Sequence, residues 1–291
     1  MTDVSFIRSH TQTNGKHIGD LLWWTLADAE IARAQLEAIW SAEGLSADDL
    51  PEVPTPEKAL RTAVRECQVG RHDYLLRLGK QDDGEVVYAV VFESRDGSGN
   101  VHHVQEARIT LDRVAPGRLG SDDAGHQLVA AVSTAYDRLL NVHTADDVRR
   151  AILRTLASCA AVTLRDSGGV YWVPSTHAAR LRALQAGIAR IGTSQLAIVP
   201  IHETAAANQE LGKAARASIE EEIAHLREEL ESFLEGSPRV ATLAHRLDVF
   251  NDLRSRAQLY HSVLRVQVDD LDAALAKLTL QVEGLLQSKA S

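Results

Sequence analysis

The longest regular pattern of apolar positions lies in the last third of the chain. Leu243, Leu247, Phe250, Arg254, Ala257, His261, Leu264, Val268, Leu271, Leu275, Leu278, Val282 and Leu285 follow one another in alternating four- and three-residue steps. Eleven of these thirteen positions are apolar. A 3.5-residue repeat held this long predicts a helix that needs a helical partner along its length. Just upstream, Ile219, Ile223, Leu226, Leu230 and Phe233 form a shorter seam with glutamates on the opposite face, predicting a helix over 203–235. Gly236-Ser237-Pro238 separate the two, so residues 203–291 are expected to form an antiparallel, coiled-coil-like helical hairpin.

Length makes the hairpin uneven. A final helix of about 50 residues reaches ~75 Å and its predecessor ~50 Å, which leaves ~25 Å of seam without a partner inside the hairpin. On this reckoning Leu264, Val268, Leu271, Leu275, Leu278, Val282 and Leu285 form an oligomer interface, with the chain itself or another helical protein as partner. Arg254 and His261 fall on the strict seam, but the adjoining Leu253 and Tyr260 take the inward positions if local packing shifts to a 3.6-residue period.

The rest of the chain alternates periods. Residues 1–19 are polar and read as a flexible N-terminus, and Asp20 to Glu43 as a helix that is apolar around much of its circumference. Thr55-Pro56 caps and opens a further helix. Beyond Gly70, three Val-, Tyr- and Ile-rich runs separated by Asp82-Asp83-Gly84 and by Asp96 to Asn100 predict an antiparallel three-strand meander. Residues 20–120 thus make a helical plus β-meander unit. Residues 121–202 read as a small central α+β module: a helix from Ala124 to Leu140, a second capped by Thr144 and Asp147, a hairpin about Asp166 to Gly169, a helix after Ser175 and a short strand. The fold class is α+β.

Composition narrows the functional classes. The net charge is −9, distributed as −6 over residues 1–120, +2 over 121–202 and −5 over 203–291. An acidic chain is repelled by nucleic acid and anionic membranes, so phosphate recognition would have to be local to the middle segment. There Arg149, Arg150 and Arg154 lie on one predicted helix, and Trp172 on the following hairpin offers a stacking surface. Nucleic-acid contact through these residues is the alternative reading, disfavoured because the basic excess is only two charges. Two cysteines, Cys67 and Cys159, sit in apolar helical stretches and read as small buried residues in a reducing, cytoplasmic protein of bacterial type. No apolar run approaches the ~20 residues that cross a bilayer.

No catalytic, metal or cofactor constellation emerges. His102-His103 point to opposite faces of a strand, His202-Glu203 lacks a second histidine four residues on, and the Gly-rich turns join strands rather than leading into helices. The expectation is a non-catalytic, self-associating scaffold or adaptor without cofactor acting through the C-terminal hairpin, with an enzyme of unrecognised type as the third reading after nucleic-acid contact.

Overall fold

The computed structural model describes residues 15–26, 29–70, 73–115, 119–165, 169–235, 240–265 and 269–290. In chain order the first elements are β1 (His17–Thr25), β2 (Ile31–Ala32), α1 (Arg33–Ala42), α2 (Pro56–Gln68), β3 (Tyr74–Gln81), β4 (Glu85–Arg95), β5 (Val101–Asp112), β6 (Gly120–Ser121) and α3 (Gln127–Asn141). Then follow β7 (Val142–His143), α4 (Ala145–Ala157), β8 (Val162–Thr163), β9 (Tyr171–Pro174), α5 (Ala178–Ile188), β10 (Gln195–His202), α6 (Ala205–Glu235), α7 (Val240–Leu264) and α8 (Asp269–Ala290). The fold is α+β, with antiparallel sheets and a helical C-terminal region.

Two compact units divide the chain, and neither is continuous in sequence. One takes the described residues of Met1–Ala27, Ile39–Asp49 and Ala151–Ser291; the other those of Asp28–Ala38 and Leu50–Arg150. The divisions fall at 27/28, 38/39, 49/50 and 150/151.

In the first unit a four-stranded antiparallel sheet runs in the order β10-β1-β9-β8. Its second strand overturns one expectation: residues 17–25, read partly as flexible tail and partly as helix, are strand β1, and helix is confined to α1. The reason is burial. β1 is paired along both edges, to β10 and β9, and Ile18, Gly19, Asp20 and Leu22 are all buried. Apolar residues stand on both of its faces, Leu22 buried on one and Trp23 exposed on the other, so the two-residue alternation that marks strands is lost and Leu-Leu-Trp-Trp resembles a helix apolar on every side. Gly19 is required where it stands, since a Cβ there would lie 2.4 Å from Trp172 Nε1 and 2.4 Å from the Val173 carbonyl oxygen.

The second expectation to fall is the single long C-terminal helix. It is two helices, α7 and α8, with Arg265 between them in the left-handed region at φ 58°. Ion pairs Arg246–Glu229 and Arg256–Glu222 climb α7 while descending α6, and Arg265–Glu203 continues the series just beyond their ends, so these two run antiparallel. Leu253 and Tyr260 take the inward positions on α7, while Arg254 is half-buried and His261 exposed. The residues expected at an oligomer interface are core: Leu264, Leu271, Leu275, Leu278 and Val282 are buried in one cluster with the seams of α6 and α7 and with Ile18, Val162 and Trp172 of the sheet. Val268 and the side chain of Leu285 lie outside the described residues, as does Gly236-Ser237-Pro238. The length argument for an interface at this seam fails because α8 turns back and covers it.

In the second unit the meander is as expected, extended by the short β6 in the order β3-β4-β5-β6. Val86, Tyr88 and Val90 stand in register with Leu111, Ile109 and Ala107, and this face is covered by Ala59, Leu60, Ala63 and Val64 of α2 and Leu128, Val129, Val132 and Tyr136 of α3. Asp82 Oδ1 accepts the Gly84 and Glu85 N–H groups and fastens the first turn. On the free edge of β3, the Gln68 side chain accepts the Leu76 N–H at 2.6 Å and donates to the Tyr74 carbonyl at 2.8 Å, taking the place of a neighbouring strand there.

Leu275→Ala tests the internal seam. Leu275 is fully buried, so the variant should lose ~2–5 kcal/mol of stability, read as a lower urea midpoint, with its solution mass at any given concentration unchanged. A changed mass at unchanged stability would return this seam to an interface between chains.

Candidate functional site

Surfaces and polar clusters are the two sources of function to weigh. Among the polar clusters, helix α5 supplies two arginines that reach buried carboxylates. Arg182 Nη2 donates to Asp20 Oδ1 at 3.0 Å, and Arg180 Nη2 to Asp49 Oδ2 at 3.0 Å. Asp20 has no exposed surface; its strand position places it opposite Pro200 and Val173, with His17 Nε2 3.5 Å from Oδ1. Asp49 also accepts a hydrogen bond from Thr155 Oγ1 at 2.8 Å. Burial raises the nearby Cys159 thiol above its ordinary pKa, and the charge of Arg180 offsets this only in part, so Cys159 is a poor nucleophile. These pairs join residues far apart in sequence. Removing one partner would strand a buried charge, which makes them positional rather than chemical.

The second unit holds two further clusters. His126 caps α3: its Nδ1 accepts the Leu128 N–H at 3.1 Å, which leaves the ring proton on Nε2, 3.1 Å from Glu106 Oε2. Tyr74 donates its hydroxyl to the same oxygen at 3.1 Å. The sequence offered no signal for this trio, because histidine is not among the preferred cap residues and the three are far apart in the chain. The other cluster surrounds Asp147. Arg33 donates to the carbonyls of Leu140 and Leu139 at the end of α3, and its Nη1 lies 3.1 Å from His143 Nδ1. His143 in turn lies 3.7 Å from Asp147 Oδ2, which accepts the Thr144 N–H at 3.0 Å while Thr144 Oγ1 faces the Asp147 N–H: the reciprocal cap read from the sequence. Burial alone would raise the Asp147 carboxyl. Hydrogen bonds from His143 and Thr144, and the charge of Arg150, outweigh it and hold the group well below the usual carboxylate range.

The nucleic-acid candidates are not assembled into a site. Trp172 is fully buried against Tyr260, with ring centroids 6.1 Å apart, so it offers no face to a base. Arg149 pairs with Asp146 and Arg150 with Asp147 on their own helix, and Arg154 has an interaction of its own. His102 and His103 are directed to different carboxylates, Asp96 and Glu93. Among the described residues no group of three or more His, Cys, Asp or Glu side chains is placed to hold a metal ion, and no helix is long and apolar enough to cross a membrane.

What remains is a surface. The exposed residues of α6 include Glu220, Glu221, Arg227, Glu228 and Glu231, and those of α7 include His245, Asp248 and Asp252. The exposed face of α8 is different: Ala273, Ala276, Leu280 and Gly284 follow helical spacing, and Leu280 keeps 68% of its surface exposed. Lys277 and Glu283 flank this row, one on each side, and neither is in an ion pair among the described residues.

Sheet, meander and three-helix coil together describe an α+β protein built of two interleaved units. Residues 17–291, from the first residue of β1 to the end, match the model of a family of unknown function (DUF6744), and the chain belongs to that family. No curated protein and no solved structure matches it.

Asp147→Asn tests the reading of its cluster. A carboxylate held below its ordinary value adds stability that is fully present above the unfolded pKa of ~3.9 and is lost as pH falls toward the folded value. The variant should therefore be less stable than wild type by about 1 kcal/mol at pH 7, with the gap closing below pH ~4. Urea midpoints between neutral and acid pH measure this, and a gap that widens in acid would reverse the assignment.

Proposed function

We propose that this chain is a non-catalytic assembly protein of the cytoplasm, a scaffold or adaptor that associates through the outward face of α8. The observation that carries this reading is the exposure of Leu280 within a row of small residues on α8. An exposed leucine alone is ordinary on a protein surface. Here it lies in one row with Ala273, Ala276 and Gly284, residues short enough for another helix to approach closely. The inward seam of the same helix is already satisfied, so the outward row is not needed to hold the chain together.

Buried charge supports the same reading from the other side. Asp20 and Asp49 are buried, each with an arginine, from positions 182 and 180, at hydrogen-bonding distance, and the mostly buried Arg256 pairs with the part-exposed Glu222. Arg256 is held charged despite its burial, by hydrogen bonds to Glu222 and by the neighbouring Tyr260. These groups serve the fold, which leaves the surface to serve the function.

Leu280→Glu is the direct test. The full chain should show a mass that rises with concentration in light scattering, and the variant should stay at monomer mass with an unchanged circular dichroism spectrum and thermal transition. A wild-type chain that is monomeric at every concentration and captures no helical partner through this face would sink the proposal.

A further inference from the structure

We propose that the outer edge of β3 receives an extended, acidic peptide segment of another protein, which adds to the meander as a further antiparallel strand. This surface lies within the second unit and is independent of α8. β3 is an end strand of its sheet. Hydrogen-bonding direction alternates along a strand, so Leu78 turns its N–H and carbonyl away from β4, as Leu76 does two residues earlier. At Leu76 the Gln68 side chain meets the outward N–H. Among the described residues nothing does the same at Leu78. Beside this edge lies a cleft of about 380 Å³, large enough to seat a side chain of a bound segment. Val64, Leu76 and Tyr88 give it an apolar lining, with Arg61 and Arg65 on its α2 side. Leu78, opposite Tyr88 and so on the same face, keeps 51% of its surface exposed.

Strand addition uses both features: main-chain hydrogen bonds hold the segment, and its alternate side chains enter the cleft. Charge selects which segment. Arg61 and Arg65 are one turn apart on α2, and Arg77 is exposed on the other face of β3. Arg65 and Arg77 are in no ion pair among the described residues, and Arg61 shares Glu57 with Arg113. A cationic edge on a chain of net charge −9 favours carboxylates. A second copy of β3 is a poor occupant, because it would bring the three arginines of both copies to one seam. The fitting segment has an apolar residue facing the cleft and an acid two residues to either side, directed towards Arg61 and Arg65.

The probe is a fluorescein-labelled peptide, Thr-Glu-Thr-Leu-Thr-Glu-Thr, titrated into the full chain and followed by fluorescence anisotropy. It should bind, more weakly as salt is added, and slow hydrogen exchange at the Leu78 amide. A peptide with lysine in place of both glutamates should not bind. Arg65→Glu should weaken binding about tenfold, whereas Arg149→Glu, the same charge change on α4, should leave it as in wild type. Thermal transitions confirm that both variants fold alike. A probe methylated at its leucine and glutamate nitrogens keeps every charge but loses the N–H groups that would pair with β3, and it should not bind. Failure of the acidic probe to bind overturns the proposal, as does equal binding of the lysine peptide or of the acidic probe to Arg65→Glu. Equal binding of the methylated probe also overturns it, by showing a carboxylate site without strand addition. None of these outcomes alters the mass of the chain in light scattering, so the reading of α8 stands or falls separately.

Discussion

Every long helix in the C-terminal third must hide an apolar seam, and the chain meets that requirement by turning back at Arg265. The consequence spreads through the first unit. With α8 folded against α6 and α7, the seam residues merge with the sheet into one cluster, and Tyr260 joins the two layers. Its ring packs on Trp172, and its hydroxyl donates to the Ala160 carbonyl at 3.0 Å. Trp172 in turn occupies space that only a glycine at position 19 leaves open. The strand that lies between β10 and β9 is thus fitted to the coil, and the fit of a small residue against an indole depends on the coil holding the indole in place.

The elements with local signals were legible. The meander showed in its Asp- and Gly-containing turns, α2 in Thr55-Pro56, and α4 in the Thr144–Asp147 cap, because each of those signals lies within a few residues of the structure it makes. β1 was not legible for the opposite reason. Its pairing partners, β9 and β10, come some 150 residues later, and apolar residues on both faces, Leu22 buried on one and Trp23 exposed on the other, erase the alternation. The break between α7 and α8 was hidden by the very regularity that drew attention to the region: the apolar steps continue across residues 265–268, and the left-handed turn at Arg265 is made by a residue type that gives no warning of it.

Charges misled in a related way. Arginines look available in a sequence until their acids are known, and Arg180 and Arg182 are engaged by Asp49 and Asp20, which precede them by more than a hundred residues. Trp172 looked like a stacking surface because its hairpin reads as exposed, whereas the coil covers it. The residues expected at an interface lie instead in the core of the chain's own coil. A heptad pattern reports that a seam is buried; it is silent on whether the covering helix belongs to the same chain.

The distinction between the two faces of α8 also sets the strength of any association. The inward face is dense with leucine and valine and belongs to the folding core. Among the described residues the outward face has one large apolar residue, small neighbours, two glutamines and one charge of each sign, so the pairing proposed there adds little to folding and can be made and broken without unfolding. Each copy carries a net charge of −9, and two such copies repel over roughly the ~8 Å screening length of physiological salt. Added salt relieves that repulsion between whole molecules, while apolar contact between helices is left intact. For self-association through α8, as proposed, pairing is therefore weakest at low ionic strength and strengthens as salt is added, the reverse of binding to a polyanion, where salt competes for every contact.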